Sequence, residues 1–326
     1  MTNATSASRP EPPAEGALPS VIVGTMNFGR RTPEPEAKRI VERALERGVR
    51  SFDTANMYNE GESEAILGRA LGARRGEVSI ATKVGLARLG GRAEGLAPAR
   101  LPQALDESLR RLGTDHVDLY YLHAPDHAVP IEATLGAVAS LLESGKVKAW
   151  GVSNYAAWQV LEMIVWCDAR GVPRPALSQV IYNLLVRQLE IEYFAFARRY
   201  ELASAVYNPL AGGLLAGHHD RARPAPPASR FDKNPLYQRR YWTDRFFELA
   251  AASAELARDE GISPVALAYG WLAGRPGVDA VIAGPADVAQ LDAALDGCAR
   301  PLSAAARKKL DGMHREYLGT DANYAR

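Results

Sequence analysis

The stretch RLGTDHVDLYYLHAPD, residues 111–126, carries the end of a helix, one complete strand and a histidine at that strand's end. Leu112 is the last apolar position of a helical period over Arg100–Leu112, and Gly113 supplies the left-handed stop. Val117–Leu122 then reads as a short strand, with His123 and Pro125 closing it. Such a short, mostly apolar strand following directly on a helix points to a parallel sheet covered by helices.

Working outward, the same unit recurs. Strand runs are read at Val21–Thr25, Val49–Asp53, Val78–Lys83, Val147–Gly151, Leu177–Tyr182, Leu202–Val206 and Val278–Ala283. Helical periods fill the gaps at Glu34–Arg47, Glu62–Leu71, Ile131–Ser144, Ala156–Ala169, Leu189–Arg199, Asp244–Glu260 and Asp287–Gly297. Eight strand–helix units predict an α/β fold of the (β/α)8 TIM-barrel kind, because an open doubly wound sheet has fewer strands and a glycine-rich first turn. Met26-Asn27-Phe28-Gly29-Arg30 follows the first strand instead, with no GxGxxG and no phosphate-cradling GxxxxGK motif. The segment from Gly212 to Tyr241 carries little helical or strand signal and predicts a long loop after the seventh strand, over the face where barrel sites lie. Ser303–Tyr317 reads as an extra C-terminal helix.

Composition narrows the function. The 326 residues carry 39 basic and 38 acidic side chains, a net charge of +1, which lacks the basic excess of a general nucleic-acid binder. Cys167 and Cys298 are too few for a disulfide framework or a thiolate metal site, and no metal is expected. Residues 1–19, rich in Ala, Pro, Ser and Glu and without a secretory apolar core, read as a disordered extension ahead of a barrel domain over 20–326. No apolar run is long enough to cross a bilayer, so the expectation is a cytoplasmic protein with neither membrane nor nucleic-acid partners.

Polar residues stand at the C-terminal ends of consecutive strands: Asp53, Lys83 and His123, with Tyr58 five residues after Asp53. A barrel brings these ends together. A phenol titrates near 10, and a nearby ammonium lowers that value by favouring phenolate, so Lys83 is expected to tune Tyr58 as a proton donor. Asp53 supplies the counter-charge that a buried Lys83 needs, and His123 can orient a carbonyl oxygen.

On FDTANMYNEGESEAILGRAL (52–71), IATKVG (80–85), WGVSNY (150–155) and the opening stretch, the chain resembles the aldo-keto reductase superfamily over nearly its whole length. YLHAPDHAVPIEATL (121–135), SNYAAW (153–158), YNPLAGGLLAG (207–217), RFDKNP (230–235) and the terminal NYAR make it most similar to the aflatoxin-aldehyde and succinic-semialdehyde reductase branch. The resemblance implies reduction of a small carbonyl substrate by NADPH, with Asp53, Tyr58, Lys83 and His123 matching the catalytic tetrad. It also implies that Asp53, Ser153, Asn154 and Gln179 face the nicotinamide end and Tyr207 stacks on the ring. Asn208, Pro209, Leu210, Gly212 and Gly213 would wrap the pyrophosphate, and Gly284 and Gln290 would lie at the adenosine end. Pro285, Ala286 and Ala294 depart from the family pattern there, which narrows the preference for NADPH and keeps NADH as the alternative.

The same resemblance places Arg230 and Arg326 against a substrate carboxylate, with Met26, Tyr58, His123, Trp242 and Tyr324 as substrate walls, and implies a homodimer. The adjacent His218 and His219 are read as exposed loop residues, since neighbouring histidines point apart. Two alternatives stay open: a biosynthetic ketoreductase acting on a sugar or secondary metabolite, and a cofactor-sensing regulatory barrel.

Overall fold

Short apolar strands in an open sheet leave unpaired backbone groups at its edges, and here they close into a ring. In the computed structural model, which describes residues 20–227, 229–320 and 322–324, β1 (Ser20–Gly24), β2 (Ser51–Asp53) and β3 (Ser79–Val84) come first. A small hairpin of β4 (Arg88–Leu89) and β5 (Arg92–Ala93) follows, outside the ring. Then come β6 (Val117–Leu122), β7 (Val147–Ser153), β8 (Leu177–Ile181), β9 (Ala203–Tyr207) and β10 (Ala280–Ala283). The eight strands other than the hairpin form a closed parallel barrel, β1 pairing with β2 on one side and with β10 on the other. The N-terminal extension expected over residues 1–19 lies outside the described residues.

The helices are α1 (Glu34–Glu46), α2 (Glu62–Leu71), α3 (Arg100–Leu112), α4 (Ile131–Glu143), α5 (Ala157–Arg170), α6 (Tyr193–Arg199), α7 (Pro235–Tyr241), α8 (Asp244–Asp259), α9 (Pro264–Ala273), α10 (Val288–Cys298) and α11 (Ala304–Leu318). In α3 the buried positions are Leu101, Ala104, Leu105, Ser108, Leu109 and Leu112, the stripe a helix needs to cover a barrel, and Gly113 ends it at φ 65°. Two large apolar clusters fill the layer between strands and helices. A third, small one gathers Ala205, Ala280 and Ile282 with Ile22, Leu177 and Tyr207.

Three readings are corrected. The helix expected over Leu189–Arg199 is a short 3-10 turn (Gln188–Glu190) followed by α6. The segment from Gly212 to Tyr241 contains α7, capped by Asn234 and anchored by the fully buried Phe231. α9 was not anticipated at all: Leu267–Ala273 is buried at every position, so it shows no polar face and no period.

Candidate active site

Because every barrel strand points the same way, the residues at the strand ends share one rim. Lys83 on β3 is fully buried there and Asp53 at the end of β2 is 3 % exposed. Lys83 Nζ donates to Asp53 Oδ1 and to the carbonyl of Thr54 at 2.7 Å, and lies 3.3 Å from the Tyr58 hydroxyl. Tyr58 opens the 3-10 turn Tyr58–Gly61 after β2, and its ring meets His123 edge-on at 6.1 Å between centroids. All four side chains named from the strand ends thus come together.

The electrostatics correct one expectation. Burial raises the pKa of Tyr58, Lys83 opposes it, and Asp53 adds to the rise, so the net shift is upward rather than downward. Tyr58 is a neutral O–H donor at pH 7. Burial works against the charge on Lys83, but Asp53 and Tyr58 more than offset it and hold the ammonium above its ordinary pKa. Burial, reinforced by Lys83, pushes His123 well below its usual value, so the imidazole is neutral.

On the neighbouring strands, Ser153 and Gln179 are paired in register. Gln179 Nε2 donates to Asp53 Oδ2 at 2.7 Å, and Ser153 Oγ to the Gln179 carbonyl at 2.9 Å. Asn154, at φ 65°, donates from Nδ2 to the His123 carbonyl and accepts the Tyr207 hydroxyl at 2.7 Å. Tyr121 sits beneath, its ring 5.8 Å from Lys83 Nζ. A Cβ on Gly151 would come within 2.9 Å of that ring, so only glycine leaves room for it.

Above these groups lies a cleft of about 1110 Å³, slightly larger than the usual range of small-molecule sites. Lys83 lies beneath its floor. Met26, Asp53, Tyr58, His123, Ser153, Asn154, Gln179, Tyr207, Asn208, Pro209, Leu210, Gly212, Gly213, Arg230, Gly284 and Gln290 all line it. Trp242 does not: its ring packs instead on His219, Phe231 and Phe247. Tyr324 is 82 % exposed, away from the cleft lining, and Arg326 lies outside the described residues.

The sequence reading missed Arg31, Leu86, Tyr237 and Arg240, which also line the cleft. His218 is exposed on the loop, as expected, and borders the cleft, whereas His219, also at the cleft, is half-buried against Phe231, 4.9 Å between ring centroids. Neither feature has a local sequence signal, because loop packing places them.

The profile described as the Aldo/keto reductase family matches residues 20–315. The chain belongs to the aldo/keto reductase family. This aldo/keto reductase is 37% identical over 291 residues to the human protein "Aldo-keto reductase family 7 member A3", covering 85% of this chain and 87% of that one. It is 38% identical over 303 residues to human "Aflatoxin B1 aldehyde reductase member 2", covering 87% and 82%. Among solved structures it is similar to a glycerol dehydrogenase from Gluconobacter oxydans, with a TM-score of 0.78, 27% identity and 95% of each chain covered. Among the described residues of the reductase, no helix is long and apolar enough to cross a membrane.

Four residues lining the reductase's cleft bury a polar atom with no hydrogen-bond partner among the described residues: His123 Nδ1, Asn208 Nδ2, His219 Nδ1 and Ser229 Oγ. Orphans of this kind cost about 1–3 kcal/mol each, which a ligand rich in donors and acceptors would recover. Neutral side chains at one end of the cleft and cationic ones among its loops fit an amide joined to phosphates.

Proposed function

We propose that this reductase converts aldehydes or ketones to alcohols with NADPH, or NADH, and that Tyr58 delivers the proton. The observation that carries the reading is the 3.3 Å approach of Lys83 Nζ to the Tyr58 hydroxyl in a buried site where Asp53 keeps the lysine charged. When bound, the dinucleotide would supply the hydride that reduces the carbonyl carbon. Ser153, Asn154 and Gln179 would hold its carboxamide, Tyr207 its ring, and the backbone of Asn208, Pro209, Leu210, Gly212 and Gly213 its pyrophosphate. Gly284 and Gln290 would meet the adenosine end.

As negative charge develops on the carbonyl oxygen, the neutral Tyr58 hydroxyl gives up its proton and the adjacent ammonium stabilises the phenolate left behind. Asp53, held on its second oxygen by Gln179, fixes that ammonium in place. His123 is neutral, and its buried Nδ1 finds no acceptor among the described residues, which favours the tautomer with the proton on Nε2. That N–H would orient the substrate oxygen, with Met26 on the cleft wall beside it.

The test is titration of the purified protein with NADPH and NADH by tryptophan fluorescence, then turnover on neutral and carboxylated aldehydes and on a keto-sugar. Binding with aldehyde-dependent oxidation of the cofactor is expected. Binding without turnover would favour the cofactor-sensing barrel, and turnover on the keto-sugar alone the biosynthetic ketoreductase.

A further inference from the structure

The loop between β3 and α3 turns back on itself and ends in a buried acid. Gly85, two residues after Lys83, starts it at φ 116°, and β4 and β5 form its hairpin. Glu94 closes the hairpin, its backbone N–H donating to the Ala87 carbonyl at 2.9 Å, and its side chain is fully buried. Oε2 accepts the Gly85 amide at 2.8 Å, and the two oxygens accept Asn56 Nδ2 at 3.0 and 2.9 Å. Arg100, at the start of α3, supplies the counter-charge at 2.8 Å. A buried carboxylate needs such donors, and it fixes whatever supplies them.

Asn56 stands two residues before Tyr58. Its backbone N–H reaches the Lys83 carbonyl at 3.3 Å, and the Tyr58 N–H then turns to the Ala55 carbonyl at 3.0 Å. The Asn56 amide gives Nδ2 to Glu94 and leaves Oδ1 buried with no hydrogen-bond partner among the described residues, so the carboxylate decides its orientation. After Tyr58, Asn59 and Glu60 lie in the left-handed region at φ 50° and 56°, where non-glycine residues persist only if contacts hold them. Asn59 is held through Nδ2 by the carbonyls of Met26 at 3.3 Å and Phe28 at 2.5 Å. On the other side of Tyr58, Asn56 is held by Glu94.

The next two residues of the loop reach the far side of the site. Gly95, at φ 68°, passes so near Asp126 that a Cβ would come within 2.6 Å of its Oδ2, and the Leu96 amide donates to that oxygen at 2.7 Å. Asp126 follows His123 by three residues.

We infer that Glu94 is a positioning residue for the proton donor. Through Asn56 and Gly85 it fixes the turn that presents Tyr58 to Lys83, and through the adjoining Leu96 it ties that turn to the segment after His123. The inference rests on the reading of Tyr58 as the donor. Glu94 touches neither substrate nor cofactor in this account; it acts through Asn56, and a displacement of about 1 Å at reacting groups is enough to slow chemistry about a hundredfold.

Single-turnover oxidation of pre-bound NADPH by an aldehyde tests it in the parent, Glu94→Gln, Asn56→Leu and the double variant. The aldehyde KM, the NADPH dissociation constant and thermal unfolding are measured on the same preparations. The single-turnover rate constant does not depend on the fraction of folded protein, so a merely structural role would leave it unmoved. Each single variant should be slower by about ten- to a hundredfold, with KM and the dissociation constant within about threefold of the parent. The double variant should be no slower than the slower single one, because the two residues act as a unit. Should Glu94→Gln not fold, Asn56→Leu alone decides by its rate constant. A parent-like rate constant in either folded single variant overturns the inference, as do losses that multiply in the double variant or a change confined to KM or the dissociation constant. All three leave the donor reading intact. A parent with no dinucleotide-dependent turnover overturns both.

Discussion

Gln179 Nε2 reaches Asp53 Oδ2 at 2.7 Å, across 126 residues of sequence, and so joins the group proposed to hold the nicotinamide amide to the one that holds Lys83. The two halves of the proposed reaction would share a hydrogen bond. Gln179→Met keeps the volume and removes the bond, and should both weaken cofactor binding and lower kcat, each by about tenfold. Fluorescence titration and steady-state kinetics on one preparation check it. A loss in binding with kcat untouched would mean that Asp53 does not depend on this support.

Lys83 opposes the burial that raises the pKa of Tyr58. Without the ammonium that pKa climbs further, so Lys83→Met should move the alkaline limb of the pH–rate profile to higher pH and lower kcat at neutral pH by roughly 10²–10⁴. The variant also leaves Asp53 buried without its cation, at a cost of about 3–5 kcal/mol, so its unfolding curve should be measured alongside. An alkaline limb in the parent's position would contradict the coupling.

Asp287 caps α10, its Oδ1 accepting the Gln290 amide and its Oδ2 accepting Gln290 Nε2, both at 2.8 Å. Those bonds occupy the one side chain that matches the family at the adenosine end, and they place a carboxylate at a helix terminus otherwise suited to anions. Asp287→Ser keeps a cap and removes the charge. The affinity for NADPH should rise about three- to thirtyfold relative to NADH, read as the ratio of two dissociation constants. An unchanged ratio would place any 2′-phosphate away from this turn.

Much of this was legible because the barrel writes itself locally. Each strand is a short apolar run, and a polar residue ending such a run, as Asp53, Lys83 and His123 do, is visible without tertiary information. α9 escaped because burial on all sides erased its period, and α7 because Phe231 and Tyr241 are held by contacts with other parts of the fold rather than by a pattern of their own. Arg31 and His219 become cleft residues because loops distant in sequence, after β1 and after β9, border one cavity. The direction of the Tyr58 shift depends on depth of burial, which spacing does not encode.

His123 also links the site to stability. Unfolded, its imidazole takes a proton near 6.5; folded, its pKa lies well below that, so beneath 6.5 the unfolded state binds more protons. This contribution is complete above the unfolded pKa and is lost as pH falls, by up to about 1.4 kcal/mol per pH unit. His123→Phe should therefore flatten the fall in unfolding free energy between neutral pH and about pH 5, as measured by urea denaturation. Parallel slopes for the two proteins would mean that the native state accepts the proton.

The central claim is that Tyr58 is the proton donor, and Tyr58→Phe tests it most directly because it removes one oxygen from the group that Lys83 approaches at 3.3 Å. The measurement is single-turnover oxidation of pre-bound NADPH by an aldehyde, with the dissociation constant determined on the same sample. The account predicts a rate lower by roughly 10²–10⁴ with cofactor affinity unchanged within about threefold. A variant that turns over at the parent's rate, or one that loses rate only because it no longer binds NADPH, would contradict it.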